Sequence, residues 1–154
     1  MYAKNVLESL WIMITNTIYK MFLVARRESL ESDYTKTRHK LGCVIVYRGR
    51  VISFGHNSNS KTSPLQKEYN HFRFDSDTPH KLHAEVSALS KLLNCKNLNL
   101  DFSKVSVVVY REKQDGSTGM ARPCESCIQL IKDLGIRNIY YTTDDGYCYE
   151  ELNY

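Results

Sequence analysis

The chain has 154 residues, enough for one domain with a hydrophobic core, and no stretch resembles a linker between two domains, so we predict a single domain over 1–154. Its composition, 42% hydrophobic and 25% charged, is ordinary for a globular protein, and the longest apolar run is too short to span a bilayer, which excludes a membrane-spanning protein. The net charge of +4 favours an anionic partner, but the cations are spread along the chain and do not distinguish a nucleotide from a nucleic acid.

The N-terminal residues and the cysteines indicate a location. The apolar residues after Lys4 are interrupted by Asn5, Glu8 and Asn16, and no small-residue cleavage site follows, so we expect no secretory signal. The odd count of five cysteines favours a reducing compartment. These features predict a cytoplasmic protein.

Apolar residues at three- and four-residue steps predict a helix, or two abutting ones, from about Lys4 to Leu30. Its buried face would comprise Leu7, Trp11, Ile14, Ile18, Met21, Phe22 and Ala25. The first part, 1–15, would be a helical extension, in which Trp11 could cover the core or meet a partner subunit.

Two β-rich runs, 41–47 and 51–54, flank Arg48-Gly49-Arg50 and predict a hairpin. Asn57 follows the second strand and, considered alone, is a turn residue. The next stretch, 58–81, lacks clear periodicity and predicts a long loop, which leads directly to His83. Since loops of this length are usually functional or disordered, we interpret it as a rim or lid.

The rest of the chain alternates helices and strands. Residues 83–93 have one apolar face and predict a helix, and the β-branched run 105–110 predicts an interior strand buried on both faces. Pro123 is expected in the opening turn of a helix that ends near Gly135. A strand over 136–142 and a short antiparallel strand over 147–149 would close the sheet.

Three side chains form a candidate metal site. His83, Cys124 and Cys127 supply one imidazole and two thiolates, which suit zinc and leave the fourth tetrahedral position for water, as in catalytic sites. Both stretches lie at predicted helix N-termini, where the partial positive charge favours a thiolate. Glu85, two residues after the histidine, is then free to move a proton of that water.

A C-x-x-C pair alone would also fit a redox pair or half of a four-cysteine zinc site. A purely structural zinc module needs a fourth protein ligand. The remaining cysteines, Cys43, Cys95 and Cys148, lie in apolar or strand-like surroundings typical of buried thiols.

Together, His83-Ala84-Glu85 and Pro123-Cys124-Glu125-Ser126-Cys127 match the pattern H-x-E…P-C-x-x-C. By this motif the chain resembles the cytidine and deoxycytidylate deaminase superfamily, over roughly 19–149, and is closest in appearance to phage-type deoxycytidylate deaminases. The resemblance implies a three-layer α/β/α cytidine deaminase-like fold with a five-stranded mixed sheet. The closing hairpin departs from tRNA adenosine deaminases and many deoxycytidylate deaminases, which continue with a helix and a parallel strand.

The resemblance also implies hydrolytic deamination of cytosine in a free nucleoside or nucleotide, with dCMP to dUMP and ammonia as the leading reaction. One catalytic Zn²⁺ would lower the pKa of water, and Glu85 would act as general base and then as general acid. Main-chain groups near Ala84 and Cys124 would hold the base, and Asn57 the sugar. The cations Lys61, Arg111 and Arg122, on loops expected to border the pocket, could meet a phosphate.

Other functions stay open. A deaminase acting on cytosine or adenine in single-stranded DNA or RNA could stack bases on aromatic residues, here Tyr34, Tyr69, Phe72 and Phe74. A non-catalytic zinc module is less favoured because it has no use for Glu85. Phage-type relatives can hold a second zinc in the insert, but this insert offers His71 and His80 with no cysteine. Relatives form dimers, tetramers and hexamers, so we expect a homo-oligomer.

Overall fold

A five-stranded mixed sheet forms the centre of the computed structural model, which describes residues 2–72 and 80–153, with side chains from residue 16 onward. The strands are β1 (Leu41–Tyr47), β2 (Arg50–His56), β3 (Val105–Arg111), β4 (Asn138–Thr143) and β5 (Gly146–Glu151), in the spatial order β2-β1-β3-β4-β5. Only the β3–β4 pair is parallel; the other three neighbouring pairs are antiparallel. The predicted mixed sheet and its closing hairpin are confirmed.

Helices cover both faces of this sheet. They are α1 (Tyr2–Ser29), α2 (Pro64–Tyr69), α3 (Ala84–Leu93) and α4 (Glu125–Asp133). The C-terminal half of α1 packs Phe22 and Ala25 against Val44 and Val108, whereas α3 and α4 pack on the opposite face. Because neighbouring strand residues point to opposite faces, the continuous apolar runs of β1 and β3 serve both layers. The three-layer architecture is confirmed.

Close contact between the layers requires glycine at two positions. A Cβ on Gly42 would collide with the main chain of α1 at Ala25, and one on Gly55 would lie 2.6 Å from the Ala88 nitrogen of α3. Ser53, a buried residue of β2, donates a hydrogen bond to the carbonyl oxygen of Ala88 in the same helix, at 2.6 Å. These contacts set the depth at which α3 lies on β2.

The structure corrects two boundaries. The stretch 58–81, expected to be a loop, contains α2, whose cap Ser63 accepts a hydrogen bond from Gln66 N at 3.1 Å and is followed by Pro64. A helix of six residues is too short to show periodicity, so its cap was the only signal. Helix α4 begins at Glu125, with Cys124 as an extended N-cap residue, so Pro123 lies before the helix and not in its first turn.

Part of the sequence predictions falls outside the described residues. These comprise the side chains of Leu7, Trp11 and Ile14 and all of Phe74. No helix in the described part of the chain combines the length and apolar character needed to cross a membrane.

Candidate functional site

The two helix N-termini bring the predicted metal ligands together. His83 is the N-cap residue of α3, Cys124 is the N-cap residue of α4, and Cys127 lies in the first turn of α4. One potential ligand atom from each residue lies within 4.8 Å of the other two. No other group of three metal-binding side chains occurs in the described ranges, so His71 and His80 form no second site there.

The donor atoms have the spacing of a zinc site. His83 Nδ1 lies 3.3 Å from Cys127 Sγ and 3.5 Å from Cys124 Sγ. Bonds of about 2.0–2.1 Å to nitrogen and about 2.3 Å to sulfur in a tetrahedron would place those atoms about 3.6 Å apart. The residues therefore fit zinc as a three-ligand set.

The two cysteines differ in protonation. Hydrogen bonds from Cys127 and His83 lower the pKa of Cys124 to about 3, against the effect of burial. The pKa of Cys127 is raised because its proton is shared with the Cys124 sulfur and because the thiol is fully buried. Zinc prefers thiolate ligands, so metal binding to both sulfurs would release a proton.

The other cysteines lie outside this group. Cys43 is buried in the core and Cys148 is partly buried, as expected, but Cys95 is exposed. The expectation for Cys95 was wrong because the residue follows the C-terminus of α3, where the chain is at the surface.

Glu85 lies in the first turn of α3 with its side chain directed at the metal group. Its Oε2 is 3.2 Å from Cys127 Sγ, and the residue is only 4% exposed. Burial raises the pKa of Glu85. A buried carboxyl group of raised pKa beside a metal site is well placed to accept and donate protons.

A cavity of about 370 Å³ opens over this group. Its lining residues are Tyr34, Leu41, Asn57, Lys81, Leu82, His83, Ala84, Glu85, Arg111, Met120, Ala121, Arg122 and Cys124. The cavity thus joins four of the five predicted substrate residues to the metal group. Lys61 is not among the lining residues, and its main chain pairs with Ser58 and Leu82.

The Asn57 amide is held by the protein itself. Its Oδ1 accepts hydrogen bonds from Leu41 N and Ser32 Oγ, each 2.9 Å long, and its Nδ2 donates one to His39 O at 2.6 Å. The main-chain partners fix which end of the amide is oxygen. Asn57 lines the cavity, and one of its two Nδ2 hydrogens has no assigned acceptor in the described structure.

The cavity wall near Tyr34 is tied to the chain that follows β2. The Asp33 carboxylate accepts hydrogen bonds from the Ser60 hydroxyl, from Ser58 Oγ at 2.7 Å and from Asn59 N at 2.6 Å. These bonds hold the pKa of Asp33 well below its usual value, and the bond from the Ser60 hydroxyl has the largest effect. The carboxylate thereby fixes the loop that carries Tyr34.

The two arginines of the cavity differ in charge compensation. Arg122 donates to both carboxylate oxygens of Glu150, at 2.8 and 2.9 Å. Arg111 donates instead to two main-chain carbonyls, Arg38 O at 2.7 Å and Met120 O at 3.2 Å. No described carboxylate forms an ion pair with Arg111.

Sequence reasoning missed Lys81 as a cavity residue. Its Nζ lies 5.9 Å from the centroid of the Tyr34 ring. A usable signal existed, because residues two apart in extended chain point the same way and Lys81 precedes the extended His83 by two. Of the three aromatic candidates that the structure describes, Tyr34 lines the cavity, whereas Tyr69 and Phe72 do not.

Comparison with known proteins decides the family. The sequence profile described as "Cytidine and deoxycytidylate deaminase zinc-binding region" matches residues 15–143. The chain belongs to this family. The deaminase is therefore a zinc-dependent hydrolytic enzyme, as the motif indicated.

Solved structures support the same fold for the deaminase. The dCMP deaminase from the cyanophage S-TIM5, in its apo form, aligns with a TM-score of 0.52 and 21% identity over 85% of this chain and 83% of that one. The complex of the same enzyme with dCMP and dUMP gives the same TM-score and identity, over 85% and 82%. No curated protein matched the sequence.

The ligand assignment predicts the metal content of the deaminase. Purified protein should carry about one zinc per chain, and Cys124→Ser or Cys127→Ser should lose it together with much of the stability, since metal binding is coupled to folding. Cys95→Ser is the matched control, because Cys95 is exposed and outside the ligand group, and it should keep its zinc. Zinc and protein should be quantified by plasma mass spectrometry and amino-acid analysis. An active, metal-free wild type would contradict the assignment.

Proposed function

We propose that the protein converts dCMP and water to dUMP and ammonia. The observation that carries this proposal is the position of Arg111, which lines the same cavity as His83 and Glu85 and has no carboxylate partner among the described residues. His83, Cys124 and Cys127 would hold the zinc ion. Bound zinc lowers the pKa of water and so supplies a nucleophile near neutral pH.

Glu85 would carry both protons of the reaction. Oxygen from water forms a bond to C4 of cytosine, and Glu85 takes one proton of that water and gives it to ring N3. The second proton passes through Glu85 to the exocyclic amine. The C4–N bond then breaks, its electron pair leaves with the nitrogen as neutral ammonia, and the C4 oxygen becomes the carbonyl of uracil. The Glu85 carboxylate is restored.

The cavity would orient the substrate through its rigid parts. The main chain near Ala84 and Cys124 lies at helix N-termini, where free N–H groups can meet the base edge. The unassigned Nδ2 hydrogen of Asn57 can donate to a sugar hydroxyl, while its other three bonds keep the amide fixed.

The phosphate would bind Arg111. Its two bonds to carbonyl oxygens hold the guanidinium in place without neutralising it, so little ordering is needed on binding. Arg122 is a weaker candidate because the Glu150 carboxylate already compensates it. Lys81 also lines the cavity, and as a candidate phosphate ligand it replaces Lys61, which does not.

The role of Glu85 predicts a catalytic loss without a structural one. Glu85→Gln should keep zinc and fold, while turnover of dCMP falls by about 10² to 10⁴ because a positioned acid–base group is lost. Glu125→Gln is the control, since Glu125 is an exposed acid in the first turn of the other metal-bearing helix. Deamination can be followed by the absorbance change from cytosine to uracil. Unchanged turnover in Glu85→Gln would remove this residue from the mechanism.

The role of Arg111 predicts a phosphate-dependent effect. A charge-assisted hydrogen bond contributes about 1.5–3 kcal/mol, so kcat/KM for dCMP should exceed that for deoxycytidine by roughly one to two decades. Arg111→Met should remove most of that difference while deoxycytidine turnover stays near its original value. Arg122→Met, whose guanidinium is already paired, should keep most of it. Equal losses for dCMP and deoxycytidine in Arg111→Met would indicate a structural role and contradict phosphate binding.

A second candidate substrate is single-stranded nucleic acid, which one observation favours. A second cavity of about 540 Å³ shares Arg111 and Met120 with the first and is also lined by Arg38 and Lys113, so a strand could continue there. Its charge is mixed, however, because Asp115 and Asp144 line it too. Lys113 Nζ lies 3.5 Å from Asp144, which offsets that cation.

Salt dependence distinguishes the two substrates. We expect dCMP to be turned over at least as well as a cytosine-containing oligonucleotide. Between about 50 and 200 mM salt, kcat/KM for dCMP should fall only modestly. A protein that makes many phosphate contacts to nucleic acid loses about 10³-fold or more in binding affinity over the same range. The specificity constants should be measured for both substrates at both salt concentrations. A preference of tenfold or more for the oligonucleotide, together with a steep salt dependence, would favour the nucleic-acid enzyme.

A further inference from the structure

A buried side chain of the insert between β2 and α3 contacts the main chain of the proposed metal ligand His83. Gln66, on α2, is 0% exposed, and its Oε1 accepts a hydrogen bond from His83 N at 2.9 Å. Seventeen residues separate the two, so this contact joins α2 to the start of α3. The family motif does not include this position.

The direction of this bond also fixes the hydrogen-bond roles of two more side chains, Asn70 and His80. A main-chain N–H can only donate, so the Gln66 atom that meets His83 is its carbonyl oxygen. Its Nε2 therefore donates to Asn70 Oδ1, 2.8 Å away. The Asn70 amide nitrogen then donates to His80 Nδ1 at 2.6 Å, which makes that ring nitrogen an acceptor. Both amides are thereby held in one orientation.

This chain reaches His83 where its geometry matters for the metal. As the N-cap residue of α3, His83 has extended backbone angles, φ −87° and ψ 152°. Its carbonyl oxygen accepts the first helical hydrogen bond, from Ser87 N at 2.9 Å, but its N–H lies outside the helical ladder and bonds to Gln66 instead. Its imidazole has to keep Nδ1 3.3–3.5 Å from two sulfurs that belong to another helix. A displacement of the main chain at His83 would move the ring away from both.

We propose that Gln66 is a positioning residue for the metal site, which holds the main chain of His83 so that its imidazole meets Cys124 and Cys127. The proposal rests on the assignment of His83 as a ligand under the proposed function. Side chains that hydrogen-bond to metal ligands and orient them typically contribute about 10- to 100-fold to metal affinity. The insert would then have two roles: Gln66 holds the main chain of the metal ligand His83, and Lys81 borders the cavity.

The test compares Gln66→Met with Ser53→Ala. Methionine has a similar length and no acceptor of comparable strength, so the variant removes the bond to His83 with little change in volume. Ser53→Ala is matched, because it removes a buried bond from β2 to the same helix α3, at Ala88, without touching His83. Both should lower the melting temperature. Two rates should then be measured. The first is the rate of zinc loss to an excess of chelator, and the second is the rate of hydrogen exchange of the His83 amide in metal-free protein.

We expect zinc to leave Gln66→Met about 10- to 100-fold faster than wild type, and Ser53→Ala to stay within about twofold. The His83 amide should exchange faster only in Gln66→Met. Should that variant fail to fold, Asn70→Ala, which removes the partner of the Gln66 amide, should show the same pattern at smaller size. Unchanged zinc loss in the Gln66 variant, or equal acceleration by Ser53→Ala, would overturn the proposal.

The exchange measurement keeps this proposal separate from the proposed function. If wild type binds no zinc, the function fails, yet faster exchange at His83 in metal-free Gln66→Met would still support the positioning role. Unchanged exchange would overturn it.

Discussion

The structure depends on the meeting of two helix N-termini, those of α3 and α4, on one face of the sheet. His83 and Cys124 are the cap residues of these helices, so each ligand lies where the chain turns from extended to helical and where the helix dipole is positive. That field acts in the same direction as the hydrogen bonds from Cys127 and His83, which lower the pKa of Cys124 and favour its thiolate. The three donors can therefore come within 4.8 Å of one another in a largely apolar layer.

Packing elsewhere keeps these ends in position. Gly55 lets β2 approach the main chain of α3, and Ser53 bonds to the same turn of that helix. On its other side, α3 is approached by α2 through Gln66. The short insert helix thus contributes to the same alignment as the sheet, although it lies outside the family motif.

Charge compensation divides the cavity into two functional parts. Beside the metal group, burial raises the pKa of Glu85, which places a carboxyl group suited to proton transfer on the cavity wall. At its mouth, the Glu150 carboxylate neutralises Arg122, whereas Arg111 is oriented by carbonyl oxygens and keeps its charge. The same residue type thus has a structural role at one position and a proposed binding role at the other.

Local patterns in the sequence predicted most strands and the metal group, because strand periodicity and ligand spacing are properties of short segments, whereas the five-stranded mixed sheet was implied by the family resemblance. Contacts between distant segments could not be predicted. Nothing in the sequence near Arg122 indicates that Glu150 will pair with it, and Lys61 and Lys81 look alike until the insert is folded. Helix α2 was missed because six residues show no periodicity, although Ser63-Pro64 is a typical helix start.

X-ray absorption at the zinc edge of the purified wild-type protein tests the central claim most directly. The account predicts two sulfur neighbours at about 2.3 Å and two lighter neighbours at about 2.0–2.1 Å, of which this chain supplies only His83. Addition of the product nucleotide should change the lighter shell and leave the sulfurs in place. A shell of three or four sulfurs, or one without sulfur, would contradict a site built from His83, Cys124 and Cys127.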